Sequence, residues 1–178
     1  YPGEEALSLA ILNIKNDAVI QDYFVESKTV PLVTSNTACI KKEIFEELGY
    51  FDTSLRFGPD LEMWFRIALN YKLVFSMSPT AIYYRDADNR VMDNYTSFND
   101  DIVDKMISLV GSFSPLSSPY QYIEANITKQ IKFHLLKGNN KLVKNRLKKY
   151  SRYFISKKNY YMFKILVNFP IHRVKSGK

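Results

Sequence analysis

Apolar residues recur at helical spacing along much of this chain, and the places where the spacing changes divide it. Residues 4–13 bring Leu7, Ala10 and Ile11 onto one face and predict a short helix. Residues 18–25 and 32–40 are rich in β-branched and aromatic side chains, and each predicts a strand, the second bounded by Pro31. Residues 41–48 predict a helix that stops at Gly49, with Ile44, Phe45 and Leu48 inward and Glu43, Glu46 and Glu47 outward. A loop over 51–57 follows. Gly58 and Pro59 then open a helix over 60–71 that is apolar on most sides through Leu61, Met63, Trp64, Phe65, Ile67, Ala68 and Leu69. Only a buried helix has that pattern. Residues 72–76 and 80–85 predict two further strands, separated by Ser78-Pro79.

Beyond Arg90 the pattern becomes helical throughout. Phe98, Ile102, Met106, Leu109 and Val110 mark a helix over 94–111, and residues 112–119 (SFSPLSSP) have the composition of a linker. Three more helices are expected over 123–137, 141–154 and 158–168, the first ending at Gly138 and the last before Pro170. The expected fold class is α/β, with a few strands and mainly helices over residues 1–92, then a helical extension over 93–178.

Composition narrows the chemistry. The chain has 178 residues, 46% hydrophobic and 24% charged, which fits one ordered domain or one domain with a helical appendage. No apolar run approaches the roughly 18–20 residues that cross a bilayer, and no charged segment followed by an apolar one opens the chain as a signal peptide would. The single cysteine, Cys39, excludes an internal disulfide framework and a cysteine-cluster zinc site. His134 and His172 are far apart and lack ligand-like neighbours, so no metal-ligating residue is expected.

Charge adds a division that hydropathy alone misses. Residues 1–120 carry a net −7, whereas residues 121–178 carry +14 and a single acid, Glu124. Such asymmetry points the second region at something anionic: a lipid surface, a nucleic acid or the chain's own acidic part.

Asp60 is the leading candidate for chemistry. It follows a loop and a glycine at the start of a buried helix, and two roles are open to it. A first-turn acid stabilises its helix through the dipole by about 0.3–1 kcal/mol. A carboxylate held on a rigid helix end is also well placed to be a general base.

The stretch Asn36-Thr-Ala-Cys-Ile-Lys-Lys-Glu-Ile-Phe-Glu-Glu-Leu-Gly-Tyr-Phe-Asp, followed by Gly58-Pro-Asp-Leu-Glu-Met-Trp-Phe-Arg-Ile-Ala, resembles the acceptor-side half of a family 2 glycosyltransferase with a GT-A fold. That family carries a strand ending in a small or hydroxylated residue, a basic pair, F-x-x-x-G-x-F-D, a loop and G-E-D-x-x-x-W-x-R. Residues 81–90 (AIYYRDADNR) are similar to the strand and loop that close its site. The resemblance spans residues 32–92, about a third of the chain. It implies that Asp60 deprotonates an acceptor hydroxyl, that the donor is a nucleotide sugar, and that transfer inverts the anomeric centre. It further implies substrate contacts from Trp64, Arg66, Tyr84, Arg85 and Arg90, with a divalent metal, Mg or Mn, on the diphosphate in the complete enzyme. Pro59 stands where the family has Glu, and Tyr84 where close relatives have His. The nucleotide-binding half and its Asp-x-Asp motif have no counterpart here, since Asp86-Ala-Asp88 follows the helix of Asp60. The chain is therefore expected to be a fragment that is inactive alone, holds no metal and self-associates through exposed strand edges.

The acceptor implied is a glycan or lipid-linked glycan of a bacterial cell envelope, which places the protein in the cytoplasm or on the inner face of the plasma membrane. The basic region supports that placement, because Lys and Arg near an anionic leaflet contribute about 1 kcal/mol each while Met162, Phe163, Leu166, Phe169 and Ile171 could insert shallowly. The competing function is a non-catalytic basic helical module docking on an anionic membrane or protein. Nucleic-acid binding ranks last, because no recognised module is present.

Overall fold

A computed structural model of the chain describes residues 18–29, 31–76, 78, 81, 100–111 and 113–168. Two compact units result, Tyr1–Ser112 and Phe113–Lys178. The described residues are mainly helical, with one two-stranded sheet. The expected helix over 4–13 and the expected strand over 80–85 fall outside them, residue 81 excepted.

In the first unit, β1 (Ala18–Ile20) pairs antiparallel with β2 (Leu73–Phe75), Val19 opposite Val74. The strand expected over 18–25 ends early. Asp22 accepts the N–H groups of Phe24 (2.9 Å) and Val25 (3.1 Å) and caps a short helix, α1 (Tyr23–Glu26). A side chain that satisfies orphan donors makes helix the better choice there.

The strand expected over 32–40 is replaced by a turn. Thr37 N–H bonds the Thr34 carbonyl at 3.0 Å, Thr34 N–H bonds Thr37 Oγ1 at 3.2 Å, and the Thr34 hydroxyl donates to Asn36 at 2.6 Å. Hydroxyl and amide side chains here compete with a ladder for the backbone and win.

Two helices follow as expected, α2 (Lys42–Leu48) and α3 (Pro59–Asn70). Gly49 has φ +84° and ends α2, while Gly58 has φ +74° and opens α3 with Pro59 in its first turn. Helix α3 is the spine of the unit: Met63 and Phe65 are fully buried, and Phe65 meets Phe24 edge-on at 5.1 Å. Helix α4 (Asp100–Val110) packs against α3 and buries Ile102, Val103, Met106 and Val110. That packing assigns α4 to the first unit and sets the division at residue 112 instead of 92.

The second unit holds α5 (Ser118–Leu136), α6 (Asn140–Lys149), a 3-10 turn (Ser151–Tyr153) and α7 (Lys157–Leu166). Ile123, Ile127 and Ile131, one turn apart on α5, are fully buried, with Val143 and Leu147 of α6 and Phe163 of α7 completing the core. Gly138, at φ +75°, turns the chain between α5 and α6. No described helix is long and apolar enough to cross a membrane.

Candidate functional site

Asp60 sits in the first turn of α3, half-buried, and each carboxylate oxygen has one partner. Oδ1 accepts the N–H of Leu61 at 2.9 Å, and Oδ2 accepts the hydroxyl of Ser35 at 2.9 Å. Ser35 comes from the turn at 34–37, twenty-five positions earlier in the chain. A carboxylate offers about four lone-pair directions, so these two bonds orient the group and leave capacity for another donor. Left-handed Gly58 and first-turn Pro59 put Asp60 at the helix end, where the dipole favours its charge.

Trp64, one turn further on, lies in the core at 3% exposure and meets Phe51 edge-on at 6.1 Å. Its indole N–H finds no acceptor among the described residues. The fold gives it a packing role under the loop that follows α2.

Arg66 is likewise committed to the fold. Its Nε and Nη2 fork onto fully buried Glu62 at 2.6 and 2.9 Å. Its Nη groups also donate to the carbonyls of Leu48, Gly49 (3.3 Å) and Tyr50 (2.8 Å). Every N–H of the guanidinium thus has an acceptor. The carbonyls it serves lie at the end of α2, where a helix has no N–H donors of its own left to offer them. A charged fork of this kind is also the strong form of hydrogen bond. Arg66 therefore ties α2 to α3 from inside.

The same is true of Asp52, which sequence reasoning noted only as the end of F-x-x-x-G-x-F-D. It accepts the N–H (3.0 Å) and hydroxyl (2.6 Å) of Ser54, and Lys105 of α4 joins it at 2.9 Å. The Ser54 hydroxyl first, then Lys105, hold its carboxyl well below the usual range, at about 2. An open hollow of about 530 Å³ lies beside it, lined by Asp52, Asp101, Asp104 and Lys105 among others, and Asp60 is not part of it.

Of the expected site residues, the structure thus places Asp60 at a half-open helix end, and Trp64 and Arg66 within the scaffold behind it. Tyr84, Arg85 and Arg90 lie outside the described residues. Ser35, Glu62 and Lys105 were missed. The cluster Thr34-Ser35-Asn36-Thr37 signals the turn that aims Ser35, and Glu62 with Arg66 has the i, i+4 spacing of a helical ion pair. Nothing local in the sequence links Lys105 to Asp52.

Among the described residues no group of three His, Cys, Asp or Glu side chains is placed to hold a metal ion. No family model matches the chain, and no curated protein or solved structure matches it significantly.

Proposed function

We propose that the first unit is the acceptor-side part of an inverting glycosyltransferase of GT-A type, with Asp60 as general base. The observation that carries this reading is the setting of Asp60. It is anchored by Ser35 and by its own helix, yet half-open and able to take another hydrogen-bond donor. The residues that resemble the family motif agree with it in a second way. Glu62, Arg66, Phe51 and Trp64 together brace the segment that carries Asp60, which is what a precisely held base requires.

In this reading an acceptor sugar hydroxyl donates to Asp60. As its oxygen attacks the anomeric carbon of a nucleotide sugar, the proton passes to the carboxylate. The new C–O bond forms on the face opposite the breaking bond to the diphosphate, so the anomeric configuration inverts. The nucleoside diphosphate departs with the electron pair. Such a donor is a cytosolic metabolite, so the active site works on the cytoplasmic side, on a glycan or lipid-linked glycan.

The test is Asp60→Asn in the whole protein. General-base catalysis contributes about 100- to 10,000-fold, so transfer should fall by that factor while nucleotide-sugar affinity holds. Retained transfer refutes the assignment. Ser35→Ala should cost less, because it loosens the base without removing it.

A further inference from the structure

We propose that the outer face of α7 is a docking surface for an anionic lipid bilayer. The proposal rests on the second unit alone and stands or falls apart from the transferase reading.

Six residues make up the exposed face of this helix: Lys157, Lys158, Tyr161, Met162, Lys164 and Ile165. They share one side because their spacings are three, four and seven. Tyr161 and Ile165, 57% and 56% exposed, lie along its centre, and the three lysines flank them. An ordinary solvated helix face mixes acids with bases and keeps its large apolar groups inward. This face does the reverse on both counts. Helices α6 and α7 together carry eight Lys/Arg and no acid.

The helix cannot roll to hide its apolar stripe. Phe163 and Val167 are buried on the opposite side, and Phe163 packs edge-on against Phe154 at 6.4 Å. The one acid in the region is occupied. Glu124 of α5 accepts the N–H groups of Ile155 (3.2 Å) and Ser156 (3.1 Å), just where α7 begins. It fixes the orientation of α7 and is not on the face to balance its lysines. Phe163, expected from sequence to insert into lipid, is core, and Tyr161, Met162 and Ile165 take that part.

A bilayer suits this face better than other anions. Lysine stems can lie along the apolar groups and send their ammonium heads to lipid phosphates. Tyrosine is at home at the level of the headgroups. Burial of Met162 and Ile165 gains nothing against a phosphodiester backbone but does against acyl chains.

Flotation of the whole chain tests this, with vesicles of phosphatidylcholine alone and of an equimolar mixture with phosphatidylglycerol, at low and high salt. Binding to the mixed vesicles and release by salt are expected. Lys157→Gln/Lys158→Gln/Lys164→Gln should weaken partitioning by about a hundredfold, since each lysine adds about fivefold. Tyr161→Ser/Ile165→Ser leaves charge unchanged and should weaken it about tenfold; Val74→Ser, an exposed site of the first unit, should not. Circular dichroism checks that the variants keep their helices. Failure of the chain to float overturns the proposal, as does unaltered binding by the serine variant. Tighter binding to a duplex oligonucleotide at matched salt, weakened by the serine variant, would assign the face to nucleic acid instead. A concentration-dependent dimer lost in that variant would assign it to a second copy of the chain.

Discussion

The two units of this chain are held by different means. The first is stitched by charge: Glu62 to Arg66, Arg66 to the carbonyls ending α2, Tyr71 to Glu47, and Asp52 to Lys105. The second closes on an isoleucine column and a few aromatic rings, and its only acid serves two backbone N–H groups. The difference follows from composition. A region of mixed charge can satisfy its cations internally, whereas a region with fifteen cations and one acid cannot. Much of its charge is left at the surface, as at Lys157, Lys158 and Lys164. The difference suits the two roles proposed above: a base would have to be held in place, while a docking surface would need only a firm helix behind it.

The largest effect on this contrast should come from Arg66→Met. Loss of one partner from a buried ion pair strands the other, at a cost of about 3–5 kcal/mol. Amide exchange over residues 42–70 should speed up accordingly, because Glu62 has no water to turn to and the end of α2 loses its donors. Unchanged exchange there would mean that the stitch is ornamental.

A smaller loss is expected from Glu124→Ala, about 1–3 kcal/mol for two half-buried N–H groups left without their acceptor. Glu124→Gln keeps one acceptor oxygen and should recover part of it. Thermal melts of the two variants compare the size of that step. If both behave as the wild type, apolar packing alone sets the position of α7.

The smallest effect concerns acid. The Asp52 carboxyl titrates lower in the folded chain than its ordinary value of 3.8, at about 2. A depressed carboxyl stabilises the fold fully above its unfolded value and loses that stabilisation as pH falls through the folded one. Stability should therefore decline between 3.8 and about 2, and Asp52→Asn should flatten that part of a melting-temperature profile. High salt should have a lesser influence, because the Ser54 bonds outweigh the contact with Lys105.

Much of the helical framework was legible along the chain. The glycine after 41–48 and the Gly-Pro before Asp60 mark ends that the backbone cannot ignore, and the greasy 60–71 segment could only be buried. Residues 32–40 misled because β-branched content and turn chemistry coincide in Leu-Val-Thr-Ser-Asn-Thr, and the hydroxyl and amide bonds prevailed. At the candidate site, the position of Asp60 in the first turn of α3 was legible from the glycine and proline before it. Its partner Ser35 was not, since a contact across twenty-five positions leaves no periodic trace.

Sequence by itself determined the helices, their ends and the charge division, because these depend on neighbours within a turn or on simple counts. Tertiary structure decided which polar groups meet. It made Arg66 a clasp for the end of α2, and it put Phe163 inside and Tyr161 outside on one helix. The physical reason is that a side chain's orientation depends on what packs against its helix, and those partners come from distant parts of the chain.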